Sequence, residues 1–212
     1  MLYQLQQQAE ENPDLQIAGL FTTINQAFDR VAMHAVRREL LQAQAEAAGL
    51  PMHVIRIPWP CSNEAYEAAM KDFVDQARAQ GITHFAFGDL FLEDIRSYRE
   101  EKLQGSGIEP MFPIWGQDTR ELSRHMIDSG LEAIVTCVDP KQLDNRFCGQ
   151  RYDAQFLAEL PAGTDPCGEN GEFHSFAFAG PMFAYKVLCT VSETLERDGF
   201  VYTDLLPDKK AS

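Results

Sequence analysis

The chain lacks the features of disulfide-bonded, zinc-binding and membrane-spanning proteins. Its 212 residues include five cysteines, an odd number, and no two of them form a CxxC pair. No apolar run approaches the roughly 18 residues of a membrane span. The glutamine-rich first segment does not have the pattern of a signal peptide. We therefore expect a reduced, cytoplasmic protein without a zinc site.

Basic residues are scarce. Lysine and arginine together number 18 against 32 aspartates and glutamates, which gives a net charge of −14. This balance argues against a nucleic-acid groove and against binding to an anionic membrane, since both need a basic face. It does not exclude a nucleotide ligand, because a local pocket of backbone amides can bind phosphate in an acidic protein.

Several catalytic motifs are also missing. The chain has no GxSxG, no Walker lysine loop and no GxGxxG, so the esterase, P-loop NTPase and Rossmann dehydrogenase interpretations lose their usual support. The histidines at 34, 53, 84, 125 and 174 show no metal-binding spacing such as HExxH. We predict no metal ligands among them.

What the chain does have is an alternation of apolar runs and amphipathic segments. Hydrophobic residues make up 45% of the sequence, enough for a substantial core. The pattern predicts α/β structure: a parallel sheet with helices on both faces. Predicted strands cover 16–22, 52–57, 84–88, 111–115 and 131–138, and predicted helices cover 2–11, 31–48, 63–80, 92–103 and 118–130.

The pattern changes near residue 140. A helix at 154–160 is followed by a turn-rich loop, and then by the strand-like segments FHSFAF, YKVLCTVSETL and FVYTDLL. Arg197-Asp198-Gly199 is predicted to form a hairpin turn. We therefore predict an α/β domain over 1–140 and a small β-rich C-terminal lobe over 141–212.

Three pairs of residues are predicted to end strands at the edge where α/β proteins bind ligands. They are Thr22-Thr23, Gly88-Asp89 and Trp115-Gly116. The alternative is that they are ordinary turn formers or helix caps. The next helix carries Arg96 and Arg99, which either form ion pairs on a solvated face or contact an anion at this edge.

The most unusual segment is DPCGENGEFH at 165–174. Its glycines allow the backbone to turn inward, and two carboxylates within four residues could hold Mg²⁺, an amine or ammonium. The alternative is a tight connection whose acidic side chains face water. Cys167 is favoured as a structural thiol over a nucleophile.

Four segments together resemble one family. They are MHAVRRELLQAQAEAAGLPMHVIRIP, FAFGDLFLEDIRSYREEKL, FPIWGQDTRELSRHMIDSGLEAIVTCVD and DPCGENGEFHSFAFAGPMF. They resemble the diphthine–ammonia ligases, a family of N-type ATP pyrophosphatases in the PP-loop, or adenine nucleotide alpha-hydrolase, superfamily. The GENGEFH form is similar to that of the bacterial branch.

The resemblance implies an ATP-dependent ligase that uses Mg²⁺. A substrate carboxylate attacks the α-phosphate, pyrophosphate leaves, and ammonia then displaces AMP to give an amide. The family implies roles for the following residues: Glu169 and Glu172 in catalysis; Thr22, Thr23, Gly88, Asp89, Arg96 and Arg99 at the nucleotide; Asn170, Gly171, Tyr98 and Trp115 at the substrate. The implied partners are ATP, ammonia and a carboxylate, and a homodimer is kept as an option.

The beginning of the sequence departs from this family. A strand and an SGGKDS-like loop normally precede the first helix, and residues 1–5 match that helix directly. We expect either that the true start lies upstream, which we favour, or that the chain is a remnant. The alternative functions are therefore a nucleotide-binding module without turnover and an interaction domain.

Overall fold

The computed structural model describes residues 1–26, 30–31 and 36–208, with the side chains of residues 30 and 31 excluded. The helices are α1 (Leu2–Glu11), α2 (Arg38–Ala47), α3 (Asn63–Ala79), α4 (Glu93–Leu103), α5 (Thr119–Asp128) and α6 (Ala154–Glu159). The strands are β1 (Leu20–Asn25), β2 (Arg30–Val31), β3 (Met52–Ile57), β4 (His84–Ala86), β5 (Glu109–Met111), β6 (Glu132–Val138), β7 (Arg151–Tyr152), β8 (Phe173–Ala179), β9 (Cys189–Arg197) and β10 (Phe200–Pro207). Among the described residues, no helix is both long and apolar enough to cross a bilayer.

Parallel pairing occurs in two places in the first half of the chain. Strand β1 runs parallel to β3 over its whole length, and β4 runs parallel to β5. The short β2 adds to β1 in the antiparallel direction. Each parallel pair is linked through a helix, as parallel strands require.

The last strand predicted for the parallel sheet, β6, lies in an antiparallel sheet instead. It pairs antiparallel with β8 along one edge and with β7 and β10 along the other, and β9 continues the sheet beyond β10. The prediction of α/β structure is confirmed, but the assignment of β6 to a parallel sheet is wrong. A mostly apolar run such as β6 fits the centre of either kind of sheet, and only its distant partners decide which one forms.

Several predicted elements have shifted boundaries. The first predicted strand starts later, at Leu20, and the strand predicted at 111–115 is Glu109–Met111 followed by a turn. The helix predicted at 31–48 begins only at Arg38. Residues 32–35 of that prediction, including His34, lie outside the described residues. The division at residue 140 stays a prediction.

Local sequence signals fix the remaining boundaries. The Ser62 hydroxyl accepts from the Ala65 amide at the start of α3, and Asp118 accepts from two amides at the start of α5. The hairpin between β9 and β10 turns at Asp198 and Gly199, both with positive φ, as the sequence predicts.

Apolar packing is divided among three clusters. One joins α3, β4 and α4 around Val74, Phe85 and Leu103. The second lies between β6, α6 and β8, and the third lies between α2 and the other face of the antiparallel sheet. Arg37, just before α2, makes a two-point contact with Asp204 of β10 at 2.6 and 3.2 Å. Helix α2 therefore ties the first half of the chain to the C-terminal sheet.

Candidate functional site

The turn that follows β4 is the centre of the candidate site. The Phe87 amide donates to the Met111 carbonyl, and the Gly116 amide donates to the Leu90 carbonyl, both at 2.8 Å. These bonds hold the turn against the segment after β5. Asp89 lies in this turn, at the carboxyl end of β4, as predicted from the sequence.

Arg99 of α4 holds Asp89 through both of its carboxylate oxygens. Its Nε lies 2.6 Å from Oδ2 and its second nitrogen 3.0 Å from Oδ1, and the carboxylate is mostly buried. The same guanidinium lies over the Phe87 ring, 4.4 Å from its centroid. A planar cation held on two sides is fixed in orientation, and Asp89 balances its charge.

Arg96, one turn earlier, reaches the segment after β5. Its guanidinium lies over Phe112 at 4.9 Å and over Trp115 at 4.7 Å, and its Nε donates to Glu100 at 2.8 Å. Both alternatives left open by the sequence are therefore present, since Arg96 has an ion pair on its own helix and also faces the edge. Tyr98 points elsewhere, with its ring beneath the Lys102 ammonium.

Residues 165–172 form a loop, here called the acidic loop, that is organised by two buried carboxylates. Glu172 is 3% exposed and accepts three hydrogen bonds: from the Asp165 amide at 2.9 Å, the Asn170 amide at 3.1 Å and the Asn170 side chain at 3.0 Å. Asp165 in turn accepts from the Glu169 amide at 2.8 Å. These acidic side chains replace the backbone partners that an irregular segment lacks.

Glu169 joins the acidic loop to the turn after β4. Its Oε1 accepts from the Leu90 amide at 2.6 Å. Burial raises the pKa of Glu169, and the nearby Asp89 and Asp165 act in the same direction, while the backbone amides of Leu90 and Phe91 oppose the shift. Glu169 is therefore a partly desolvated carboxyl group next to Asp89, the environment in which acid–base residues are found.

The N-terminal end of α1 also lies at this site. A methyl group built on Gly88 would meet the Met1 side chain at 3.7 Å, an ordinary van der Waals contact, so the two residues lie side by side. The first amides of a helix have no partner within the helix and carry its positive dipole end.

Cys167 behaves as a structural thiol, as the sequence favours. Its Sγ lies 3.5 Å from the Thr119 carbonyl. Burial raises its pKa to about 12, with Asp165 and Glu169 adding to the effect. The reactive thiolate is therefore scarce at neutral pH.

Thr22 and Thr23 lie within strand β1 and not at its carboxyl end, where the sequence predicts them. Thr22 and Thr23 do not follow a strand, because β1 runs on to Asn25 and both threonines pair with β3, opposite Val54 and Ile55. The apolar run ends at Phe21, but the strand continues through β-branched residues that the run excludes. Their contact with a nucleotide stays a prediction.

The described residues offer no set of metal ligands. Nowhere in the part of the chain that the structure describes do three His, Cys, Asp or Glu side chains come together as a metal site. Asp89, Glu169 and Glu172 each already accept from protein donors. Mg²⁺ at nucleotide sites commonly takes only one or two carboxylates, with phosphate and water as the other ligands, so its use stays a prediction.

The antiparallel part of the chain, which supplies the acidic loop, has a recognised counterpart. Residues 118–204 match the Diphthamide synthase C-terminal domain family. This match begins at the cap of α5 and ends within β10, so the acidic loop and every strand of the antiparallel sheet fall inside it, β10 in part.

Relatives extend the likeness to most of the chain. The diphthine–ammonia ligase of Homo sapiens is 29% identical over 186 residues, covering 79% of this chain and 68% of the human protein. That of Rattus norvegicus is 25% identical over 210 residues, covering 88% and 77%, and that of Danio rerio is 26% identical over 186 residues, covering 79% and 71%. The resemblance to diphthine–ammonia ligases is confirmed.

Sequence reasoning missed two parts of this site. The first is Asp165, which orders the loop backbone, and the second is the amide of Leu90, which receives Glu169. The Asp-Pro pair before two glycines is a signal for the first, because aspartate commonly accepts from amides a few residues ahead. No sequence signal identifies the second, since any residue except proline supplies an amide.

Proposed function

We propose that this chain is an ATP-dependent ligase that joins ammonia to a carboxylate. The observation that carries the proposal is the contact of Glu169 with the turn after β4, beside the Asp89–Arg99 pair. It brings the acidic loop, which falls within the diphthamide synthase match, to the edge where α/β proteins bind nucleotides. The diphthine named in the relatives makes that carboxylate the first substrate to test.

The nucleotide side of the proposal rests on the guanidinium groups at this edge. Arg96 and Arg99 are held against aromatic rings, and Met1, at the start of α1, lies beside Gly88. Fixed donors of this kind favour charge that develops on phosphate oxygens. We assign Gly88, Asp89, Arg96 and Arg99 to nucleotide binding, and keep Thr22 and Thr23 as predicted nucleotide contacts.

The chemistry proceeds in two balanced steps. A carboxylate oxygen of the substrate attacks the α-phosphorus of ATP, and the bond to pyrophosphate breaks. Ammonia then attacks the acyl carbon of the mixed anhydride, the C–N bond forms, and the C–O bond to AMP breaks. The attacking nitrogen must lose a proton, and we assign its acceptance to a carboxylate oxygen of Glu169, whose raised pKa brings it closer to neutral pH.

The remaining residues position the reactants. Glu172 holds the acidic loop in shape through its three hydrogen bonds. It therefore affects catalysis indirectly, by positioning Glu169. Asn170 and Gly171 lie at the tip of this loop, and Trp115 stacks on Arg96. We assign Asn170, Gly171 and Trp115 to substrate binding. Tyr98, whose ring lies at Lys102, stays a predicted substrate contact.

The test is the release of AMP and pyrophosphate by the purified chain. ATP, an ammonium salt and a panel of carboxylates that includes diphthine are supplied, and both products are measured. We expect Glu169→Gln to lower amide formation by about 10²–10⁴ while pyrophosphate release persists. The matched control is Glu10→Gln, at the exposed end of α1.

Two results would contradict the proposal. ATP binding without any release of AMP would fit the nucleotide-binding module instead. Equal turnover in Glu169→Gln and Glu10→Gln would remove Glu169 from the chemistry.

A further inference from the structure

A cavity lies beside α5, next to the segment that leads into the acidic loop. It has a volume of about 230 Å³ and opens between α5, the end of α6 and the turn at 161–164. Its polar lining comes from Arg120, Ser123, Arg124 and Thr164, and its apolar lining comes from Leu157, Leu160 and neighbouring prolines. The volume is below the ~300–1,000 Å³ of pockets for drug-sized ligands, which fits a small ligand or one group of a larger one.

The charge of this lining is opposite to that of the protein. The chain as a whole carries −14, yet the described residues that line the cavity include two arginines and no carboxylate. Arg120 and Arg124 are four residues apart on α5, so their side chains lie on one face of the helix, a spacing at which like charges repel. An anion between them would remove that repulsion.

Unlike several other arginines in the described part of the chain, these two have no ion pair with a carboxylate of the described residues. Arg37, Arg96, Arg99, Arg146 and Arg151 each have a carboxylate partner within 3.4 Å. No ion pair to Arg120 or Arg124 exists among the described residues, although Asp118 and Glu121 lie nearby in sequence. Asp118 is occupied as the cap of α5.

The rest of the cavity is built to be rigid. Ser123 is buried and donates to the Arg120 carbonyl, which fixes the first turn of α5. The Thr164 amide donates to the Pro161 carbonyl and closes the opposing turn. The Tyr152 hydroxyl donates to the Pro166 carbonyl at 2.7 Å, which anchors the cavity wall to β7. Arg120 and Arg124 are exposed at the edge of this cavity, and the forked guanidinium group matches the geometry of an oxyanion.

We propose that the cavity bounded by Arg120, Arg124 and the turn at 161–164 is an oxyanion-binding site for a phosphate or carboxylate group. It is separate from the Asp89–Glu169 site. Pro166 lines the cavity and begins the segment that leads to Glu169, so an anion bound here contacts the base of the acidic loop. Anion binding at this cavity does not depend on ligase activity. Either the oxyanion site or the proposed ligase function can therefore be disproved without affecting the other.

The test measures the thermal stability and affinity of the full chain with inorganic phosphate and, separately, with glutarate. Ionic strength is held constant with sodium chloride. Arg120→Gln/Arg124→Gln is compared with Lys71→Gln/Arg78→Gln, which removes the same charge from exposed positions on α3. The control matters because phosphate also stabilises proteins by exclusion from their surfaces.

We expect saturable binding in the wild type and the α3 control, and at least a tenfold weaker Kd in the α5 double variant. Arg124→Lys, which keeps the charge but loses the planar fork, should give an intermediate Kd. Tighter binding of phosphate or of glutarate identifies which group the site prefers. Non-saturable stabilisation in the wild type, or equal affinities in both double variants, would overturn the proposal.

Discussion

Replacing Glu172 should destabilise the acidic loop far more than replacing a solvent-exposed carboxylate would. The side chain is 3% exposed and accepts from the Asp165 amide, the Asn170 amide and the Asn170 side chain. Hydrogen bonds to a charged acceptor are worth about 1.5–3 kcal/mol each, and buried donors left without a partner add to the loss. Because such terms are not additive, we expect Glu172→Ala to lower the free energy of unfolding by about 3–5 kcal/mol.

The amide variant separates the hydrogen bonds from the volume of the side chain. Glu172→Gln keeps one oxygen, which can accept from the Asp165 amide and the Asn170 side chain at the Oε1 position. The NH₂ group of the glutamine then faces the Asn170 amide N–H, so two hydrogen-bond donors oppose each other and this bond is lost. We expect a loss of about 1–2 kcal/mol, from one bond instead of three.

Thermal unfolding followed by calorimetry measures both variants. A chain of 212 residues shifts its Tm by about 2–4 °C per kcal/mol. We therefore expect a fall of about 6–20 °C for Glu172→Ala and of about 2–8 °C for Glu172→Gln. Glu10→Gln, on the exposed face of α1, is the control and should change stability by less than about 0.5 kcal/mol. A Tm for Glu172→Ala that matches the control would refute this role, and equal losses in the two Glu172 variants would mean that charge, not hydrogen bonding, matters.

Two further predictions concern the same loop. Gly168→Ala should destabilise the protein by roughly 3 kcal/mol or more, because its methyl group would lie 2.6 Å from the Phe173 carbonyl oxygen at a φ of +71°. Gly171→Ala, at a φ of +82° with open space around it, should destabilise it by only about 1 kcal/mol. Equal Tm values for the two variants would contradict this difference. The pKa of Glu169 is raised in the folded protein, so its contribution to stability is present below its pKa in the unfolded chain and is lost as pH rises through its pKa in the folded protein. Denaturant unfolding from pH 4 to 8 should therefore show the wild type losing stability relative to Glu169→Gln. A stability difference that stays constant with pH would contradict the raised pKa.

Local patterns in the sequence predicted much of the fold. Ser62, Asp118 and the Asp198-Gly199 turn fix boundaries through contacts within a few residues, so short segments carry the information. Strand pairing is different, because it depends on partners far away in the chain. Strand β6 is mostly apolar, and its antiparallel direction is set by β8, whose first residue lies 35 positions after the last of β6.

The candidate site shows the same division. Gly88 and Asp89 could be predicted because strand ends in α/β proteins meet at one edge, and these residues do follow β4. The contact between Glu169 and the Leu90 amide could not, because the two residues are 79 positions apart and an amide has no identity in the sequence. Thr22 and Thr23 were misplaced because a strand can continue through polar β-branched residues beyond its apolar run.

The two glutamates of the acidic loop have different tasks, although the sequence presents them as a pair. Glu172 faces inward and is saturated with donors from its own loop, whereas Glu169 faces the turn after β4 and accepts from outside the loop. Loss of function on replacing Glu172 would therefore not distinguish chemistry from the loss of loop structure. Glu169→Gln does distinguish them, since glutamine can still accept from the Leu90 amide but cannot take up a proton as a carboxylate does. A variant that keeps its Tm and loses amide formation would place the proton transfer at Glu169, within a loop that Glu172 holds in position.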